Sequence, residues 1–144
     1  MQTKNKIKIF LVDDDPVYLK LLEIQFLEKG DFIIETFSTG ELCVASLPNK
    51  PDVIILDYHL DGVVLNAMNG IQTLDEIKKF DSEIPVIMCS SQDKIEVAIS
   101  CMHHEAYDYV VKSETAFVRL KKIITLIFFY NKMKKELNWY MERM

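Results

Sequence analysis

The chain has 144 residues, 49% of them hydrophobic and 27% charged, with a formal net charge of −5. That is room for one domain with a sizeable core and an ordinary balance for a globular protein, while the acidic total makes the chain a poor partner for nucleic acid. The charge is uneven: Met1 to Ser113 carry ten Lys against nineteen Asp and Glu, a balance of −9, and Glu114 onward carries seven Lys and Arg against three Glu, a balance of +4.

The N-terminal MQTKNK is polar and has no signal-like apolar core, so a cytoplasmic location is the expectation. The first strand is expected over 7–12, IKIFLV, and it runs directly into Asp13, Asp14 and Asp15. Three adjacent carboxylates repel one another, and burying them is costly without a neutralising partner. A solvated turn with an aspartate as N-cap and Pro16 in the first helical turn would answer this cheaply. A cation site would answer it differently. Helical spacing follows over 16–29, with Val17, Leu21, Ile24 and Leu27 on one face.

A second strand is expected over 32–37, a helix over 39–47, and a third strand over 53–56, VIIL, ending at Asp57. A helix over 71–80 leads to a fourth strand over 85–89, followed by Ser90. The next helix, 93–104, groups Ile95, Ala98, Ile99 and Met102, and a fifth strand over 107–111 is followed by Lys112. Cys43 and Cys89 fall inside apolar patterns and read as small core residues. His103 and His104 are adjacent, which is the wrong spacing for a shared metal face, and read as ordinary surface residues. The tail, 114–143, is a long helical pattern: about 45 Å if wholly helical, at 1.5 Å per residue.

Strand–helix alternation repeated five times predicts an α/β fold, a single doubly wound five-stranded parallel sheet with an extended C-terminal helix. There is no GxGxxG and no GxxxxGK[ST], so the common nucleotide signatures are missing. In such sheets ligands bind beyond the carboxyl ends of the strands. There the sequence places Asp13, Asp14, Asp57, Ser90 and Lys112: three carboxylates, a hydroxyl and an ammonium. Taken singly, each is most simply a turn, cap or solvated loop residue; the joint pattern carries the signal. Hard oxygen donors without His or Cys suit Mg²⁺, and an aspartate is a competent nucleophile toward a phosphoryl group whose oxygens a metal and a lysine stabilise.

FLVDDDP, VIILDYHL with its later NG, PVIMCSS and YDYVVK, in that order and spacing, resemble the receiver domain of two-component response regulators over residues 6–126. The resemblance implies a flavodoxin-like sheet of order 2-1-3-4-5 and a bacterial phosphorelay module, a phosphoacceptor rather than an enzyme. It implies Asp57 as phosphoacceptor, Asp13, Asp14 and Asp57 with the backbone carbonyl of His59 as Mg²⁺ ligands, and Lys112 and Ser90 as phosphoryl-binding groups. Ser90 and Tyr109 would be the switch pair. The implied partner is a sensor histidine kinase or a phosphotransfer protein.

Four features depart from the family pattern. The lysine is normally followed by a cis-proline; here Ser113 follows, so either a trans bond with a shifted loop or a strained cis peptide is expected. The loop after the third strand, HLDGVVLNAMNG, lacks the usual proline and is about five residues longer than usual, a candidate lid or partner surface. His59, two residues after the acceptor, is uncommon, and Gln92 lies where the family modulates hydrolysis; together they are expected to set the dephosphorylation rate.

The receiver unit is assigned to 1–126 and a helical extension to 127–144. In the tail Phe117, Leu120, Ile124 and Ile127 read as core-facing. Beyond them Tyr130, Met133, Leu137, Tyr140 and Met144 form an apolar stripe that must meet a second copy, a following domain or a basic-face membrane contact, homodimerisation or a linker role being favoured. Two rivals stand beside the receiver reading: a degenerate receiver acting only as an interaction module, and a phosphohydrolase with Asp57 as nucleophile.

Overall fold

The structure, a computed structural model, describes residues 6–144; residues 1–5 of the range assigned to the receiver unit lie outside the described residues. Strands β1 (Ile7–Val12), β2 (Phe32–Phe37), β3 (Val53–Leu56), β4 (Val86–Ser90) and β5 (Asp108–Val111) alternate with helices α1 (Pro16–Lys29), α2 (Gly40–Ala45), α3 (Gly70–Phe80), α4 (Ile95–His103) and α5 (Ala116–Glu142). Every strand pairing is parallel and the order is β2-β1-β3-β4-β5. The inner strands are apolar on both faces because helices cover both; all of β3 and β4 is buried.

Period-two alternation divides the core into two layers. Leu11, Ile55, Cys89 and Val110 pack with Leu22 and Phe26 of α1 and with Phe117, Leu120, Ile124 and Ile127 of α5. Val12, Leu56 and Met88 pack on the other face with Cys43, Leu74, Ile77 and Cys101. The two cysteines expected in the core are there, and so are all four tail residues expected to face it.

Local chemistry sets the helix starts. Asp15 caps α1, its carboxylate accepting from Val17 N at 3.0 Å and Tyr18 N at 3.4 Å, with Pro16 in the first turn. Asn69 and Gln72 form a reciprocal capping box at α3. The α4 start differs from the cheap reading of Ser90 as a helix cap: Lys94 precedes the helix with no side-chain cap, and Ser90 ends β4 instead of following it.

Two predicted helix faces are corrected. In α1 the stripe Val17, Leu21, Ile24 and Leu27 faces solvent, and Leu22 and Phe26 are buried. This helix is apolar on two stripes at once, and the narrower one, flanked by Tyr18 and Leu19, meets the sheet. In α4, Ile95, Ile99 and Met102 are exposed and Cys101 is buried, because the helix turns the Val97–Cys101 face to the core. His104 is not a free surface residue: its Nδ1 lies 2.8 Å from Asp75 Oδ1, tying α4 to α3. Among the described residues there is no cis peptide bond, so of the two alternatives at Lys112–Ser113 the trans bond is observed. None of the described helices is long and apolar enough to cross a membrane.

Candidate functional site

Strand register brings the acids together. Val12 pairs with Leu56, so Asp13 and Asp57 leave neighbouring strands at the same level. The ladder continues one step past each strand: Asp57 N donates to the Val12 carbonyl at 2.9 Å and Asp13 N to the Phe37 carbonyl at 3.1 Å. Both acids have the parity of Leu11 and Ile55 and so emerge on the α1–α5 side. Lys112 shares the parity of Val110 on that layer, and its backbone N donates to the Ser90 carbonyl at 2.8 Å.

The adjacent aspartates have separate roles. Asp13 is 4% exposed; it accepts from Asp15 N at 2.9 Å and from Lys112 Nζ at 2.8 Å. Asp14 faces the long loop and accepts from Gly62 N at 3.3 Å. Asp15 is the helix cap. Asp57 is 5% exposed, 3.7 Å from Lys112 Nζ, and accepts a hydrogen bond from the His59 backbone N–H. Burial, then the Asp13 charge, pushes the Asp57 carboxyl up to about 7 despite Lys112 and that hydrogen bond. Burial works against the Lys112 charge, yet its hydrogen bond to Asp13 and the two carboxylates hold the ammonium above its ordinary range.

Asp13, Asp14 and Asp57 each offer an oxygen, all within 4.8 Å of one another. An all-oxygen, mostly buried carboxylate group fits a hard divalent cation such as Mg²⁺ and fits a soft metal poorly. Gly70 permits this geometry: a Cβ there would sit 2.5 Å from the Asp57 carbonyl oxygen and 2.6 Å from that of Tyr58.

Ser90 is fully buried at the end of β4, on the parity of Met88, hence on the opposite layer from the acids. Its Oγ accepts from Gln92 N at 3.1 Å, and the half-buried Tyr109 donates its hydroxyl to the Gln92 carbonyl at 2.7 Å. The Ser90 turn is therefore tied to the Tyr109 side chain through the N–H and the carbonyl of one residue, Gln92. The His59 side chain is exposed. The loop 58–69 presents Val63, Val64 and Leu65 to solvent and is pinned by Met68 N donating to Glu41 Oε2 at 2.8 Å.

Sequence reasoning missed one residue beside the site. Tyr18 lies with its ring centroid 4.4 Å from Lys112 Nζ and its hydroxyl 3.6 Å from Cys89 Sγ. Its signal was the spacing Tyr18, Leu22, Phe26, the stripe that α1 turns toward the sheet.

The family model for the response regulator receiver domain matches residues 9–125. The chain belongs to the response regulator receiver domain family. It is 36% identical over 117 residues to a protein-glutamate methylesterase/protein-glutamine glutaminase of Clostridium acetobutylicum, across 78% of this chain and 32% of that protein. It is 31% identical over 105 residues to the nitrogen assimilation regulatory protein NtrX of Azorhizobium caulinodans, across 72% of this chain and 22% of that one. The crystal structure of NtrX from Brucella abortus superposes with a TM-score of 0.80 at 28% identity, over 97% of this chain and 31% of that one. The chain thus spans about a third or less of the length of these relatives.

The crowding of charge has a measurable cost. An acid whose folded pKa lies above its unfolded value destabilises the fold once ionised; the cost is absent below the ordinary 3.8 and grows as pH rises to about 7. In chelator, Asp57→Asn is expected to raise stability at pH 8 by roughly 1–3 kcal/mol, several degrees in Tm, with the gain vanishing near pH 4. Thermal unfolding across that range checks it; a gain that is equal at both ends would contradict the charge explanation.

Proposed function

We propose that this domain accepts a phosphoryl group on Asp57 from the phosphohistidine of a sensor histidine kinase or phosphotransfer protein, with Mg²⁺ bound, in the cytoplasm. The observation that carries this reading is the meeting of Asp13, Asp14 and Asp57 with Lys112 at the carboxyl edge of the sheet. Asp13, Asp14, Asp57 and the His59 backbone carbonyl would hold the metal, and when bound it supplies positive charge to the phosphoryl oxygens.

An Asp57 carboxylate oxygen attacks phosphorus; a P–O bond forms as the P–N bond to the donor imidazole breaks and its electron pair goes to the ring nitrogen. Lys112, already held between Asp13 and Asp57, carries its ammonium to a phosphoryl oxygen. The buried Ser90 hydroxyl, which accepts from Gln92 N and lies in hydrogen-bond contact with the Tyr109 hydroxyl, would turn its proton to the phosphoryl group. Drawing Ser90 toward the acids pulls on the Gln92 turn and so on the Tyr109 hydroxyl bonded to it, a local charge event that biases the α4–β5–α5 surface. His59 and Gln92 flank this reaction and set the lifetime of the aspartyl phosphate.

The range 1–126 would be the receiver unit and 127–144 its helical extension, through which two copies pair. Support comes from the exposed residues Leu126, Tyr130, Met133, Leu137, Tyr140 and Met144, whose alternating spacing of four and three is that of a coiled-coil seam.

Incubation with acetyl phosphate and Mg²⁺, followed by intact-mass measurement, should show one phosphoryl adduct that is absent in Asp57→Ala and absent in chelator. Turnover of phosphate esters would instead favour the phosphohydrolase, and no adduct at all the degenerate receiver. Substituting His59 and Gln92 together is expected to change the adduct's half-life at least threefold; an unchanged decay removes them from the rate. Sedimentation of the full chain should give a dimer that Leu137→Glu converts to monomer, whereas a monomer at every concentration would refute pairing through α5.

A further inference from the structure

The ammonium of Lys112 has three hydrogens to donate and, at 17% side-chain exposure, little water to receive them. Asp13 Oδ2 takes one at 2.8 Å; Asp57 Oδ1, at 3.7 Å, attracts the charge from beyond hydrogen-bond range. With only these two contacts, whichever cation sits among the carboxylates would compete with Lys112 for Asp13 and set the lysine adrift. The third contact is the Tyr18 ring, 4.4 Å from Nζ. An aromatic face attracts an ammonium through its quadrupole without occupying a hydrogen-bond donor, so the attraction persists when Asp13 lets go.

The ring itself is held at two points. Its hydroxyl lies 3.6 Å from Sγ of Cys89, a buried β4 residue, and its backbone N–H is bonded to the Asp15 carboxylate that starts α1. The same aspartate run therefore supplies the partner of Lys112, through Asp13, and the cap of the helix that presents the ring, through Asp15.

We infer that Tyr18 is a positioning residue for phosphoryl transfer: its ring holds the Lys112 ammonium beside Asp57 with donors left for the incoming phosphoryl oxygens. This rests on Asp57 being the phosphoacceptor, as proposed above. The rival account is that Tyr18 only fills space between α1 and the sheet, where it packs against the buried layer.

The two accounts differ in whether Tyr18 acts through Lys112. In metal-free protein the Lys112 Cε protons should be shifted upfield by the ring in wild type and Tyr18→Phe and return toward random-coil positions in Tyr18→Leu. With saturating Mg²⁺ and acetyl phosphate, Tyr18→Leu should lower the limiting phosphorylation rate about tenfold, while Tyr18→Phe stays within about twofold of wild type. In a Lys112→Met background, Tyr18→Leu should have no further effect. Equal slowing by Tyr18→Leu in both backgrounds, or a Tyr18→Phe protein as slow as Tyr18→Leu, overturns the inference. Tyr18→Met replaces the leucine variant if that one fails to fold. A wild-type chain that takes up no phosphoryl group refutes the phosphoacceptor reading itself, and the proton shift then decides alone whether the ring holds the lysine.

Discussion

One ion pair governs the carboxyl edge of this sheet: Lys112 Nζ against Asp13 Oδ2 at 2.8 Å, with Asp57 close behind at 3.7 Å. Without the ammonium, Asp13 and Asp57 would be buried charges of like sign on neighbouring strands, an arrangement that costs several kcal/mol. With it they remain under tension, since one lysine cannot neutralise three carboxylates. The raised Asp57 carboxyl is the electrostatic expression of that shortfall. A site so poised gains most from an added divalent ion, which is the physical reason to read the cluster as a cation site and not as a structural ion pair.

The surroundings convert this local tension into geometry. Lys112 and the acids share one layer of the core, with α1 and α5, while Ser90 and Tyr109 lie on the other, toward α3 and α4. Within that second layer the turn after β4 ties Ser90 to Tyr109, because both bond to the backbone of Gln92.

Apolar side chains remain outside the core on several elements, among them Ile95, Ile99 and Met102 of α4. The α1 stripe of Val17, Leu21, Ile24 and Leu27 adjoins the acidic site, and the tip of the loop 58–69 exposes Val63, Val64 and Leu65 beside it. The α5 stripe lies on the extension beyond the residues matched by the family model.

Much of this was legible in the sequence because it depends on local chemistry. Short apolar strands alternating with helical spacing announced the fold, and the residues at the strand ends announced the acids, the hydroxyl and the lysine. Phe117, Leu120, Ile124 and Ile127 were placed correctly because their helical spacing sets them on one face, although Val118 and Leu126 leave apolar side chains exposed on another. The α1 face was misassigned because that helix carries two apolar stripes, and periodicity cannot tell which of them the sheet will cover. Ser90 was expected just outside β4 and is its last residue, since the ladder to Val111 draws it in. The contact of Tyr18 with Lys112 joins residues ninety-odd positions apart through packing of α1 on β4 and β5, and no local pattern encodes it. The sequence by itself determined which chemical groups stand at the ends of the strands, since residue order and strand period decide that. Only the tertiary structure decided which groups touch, because strand register and helix rotation are settled by packing of the whole core.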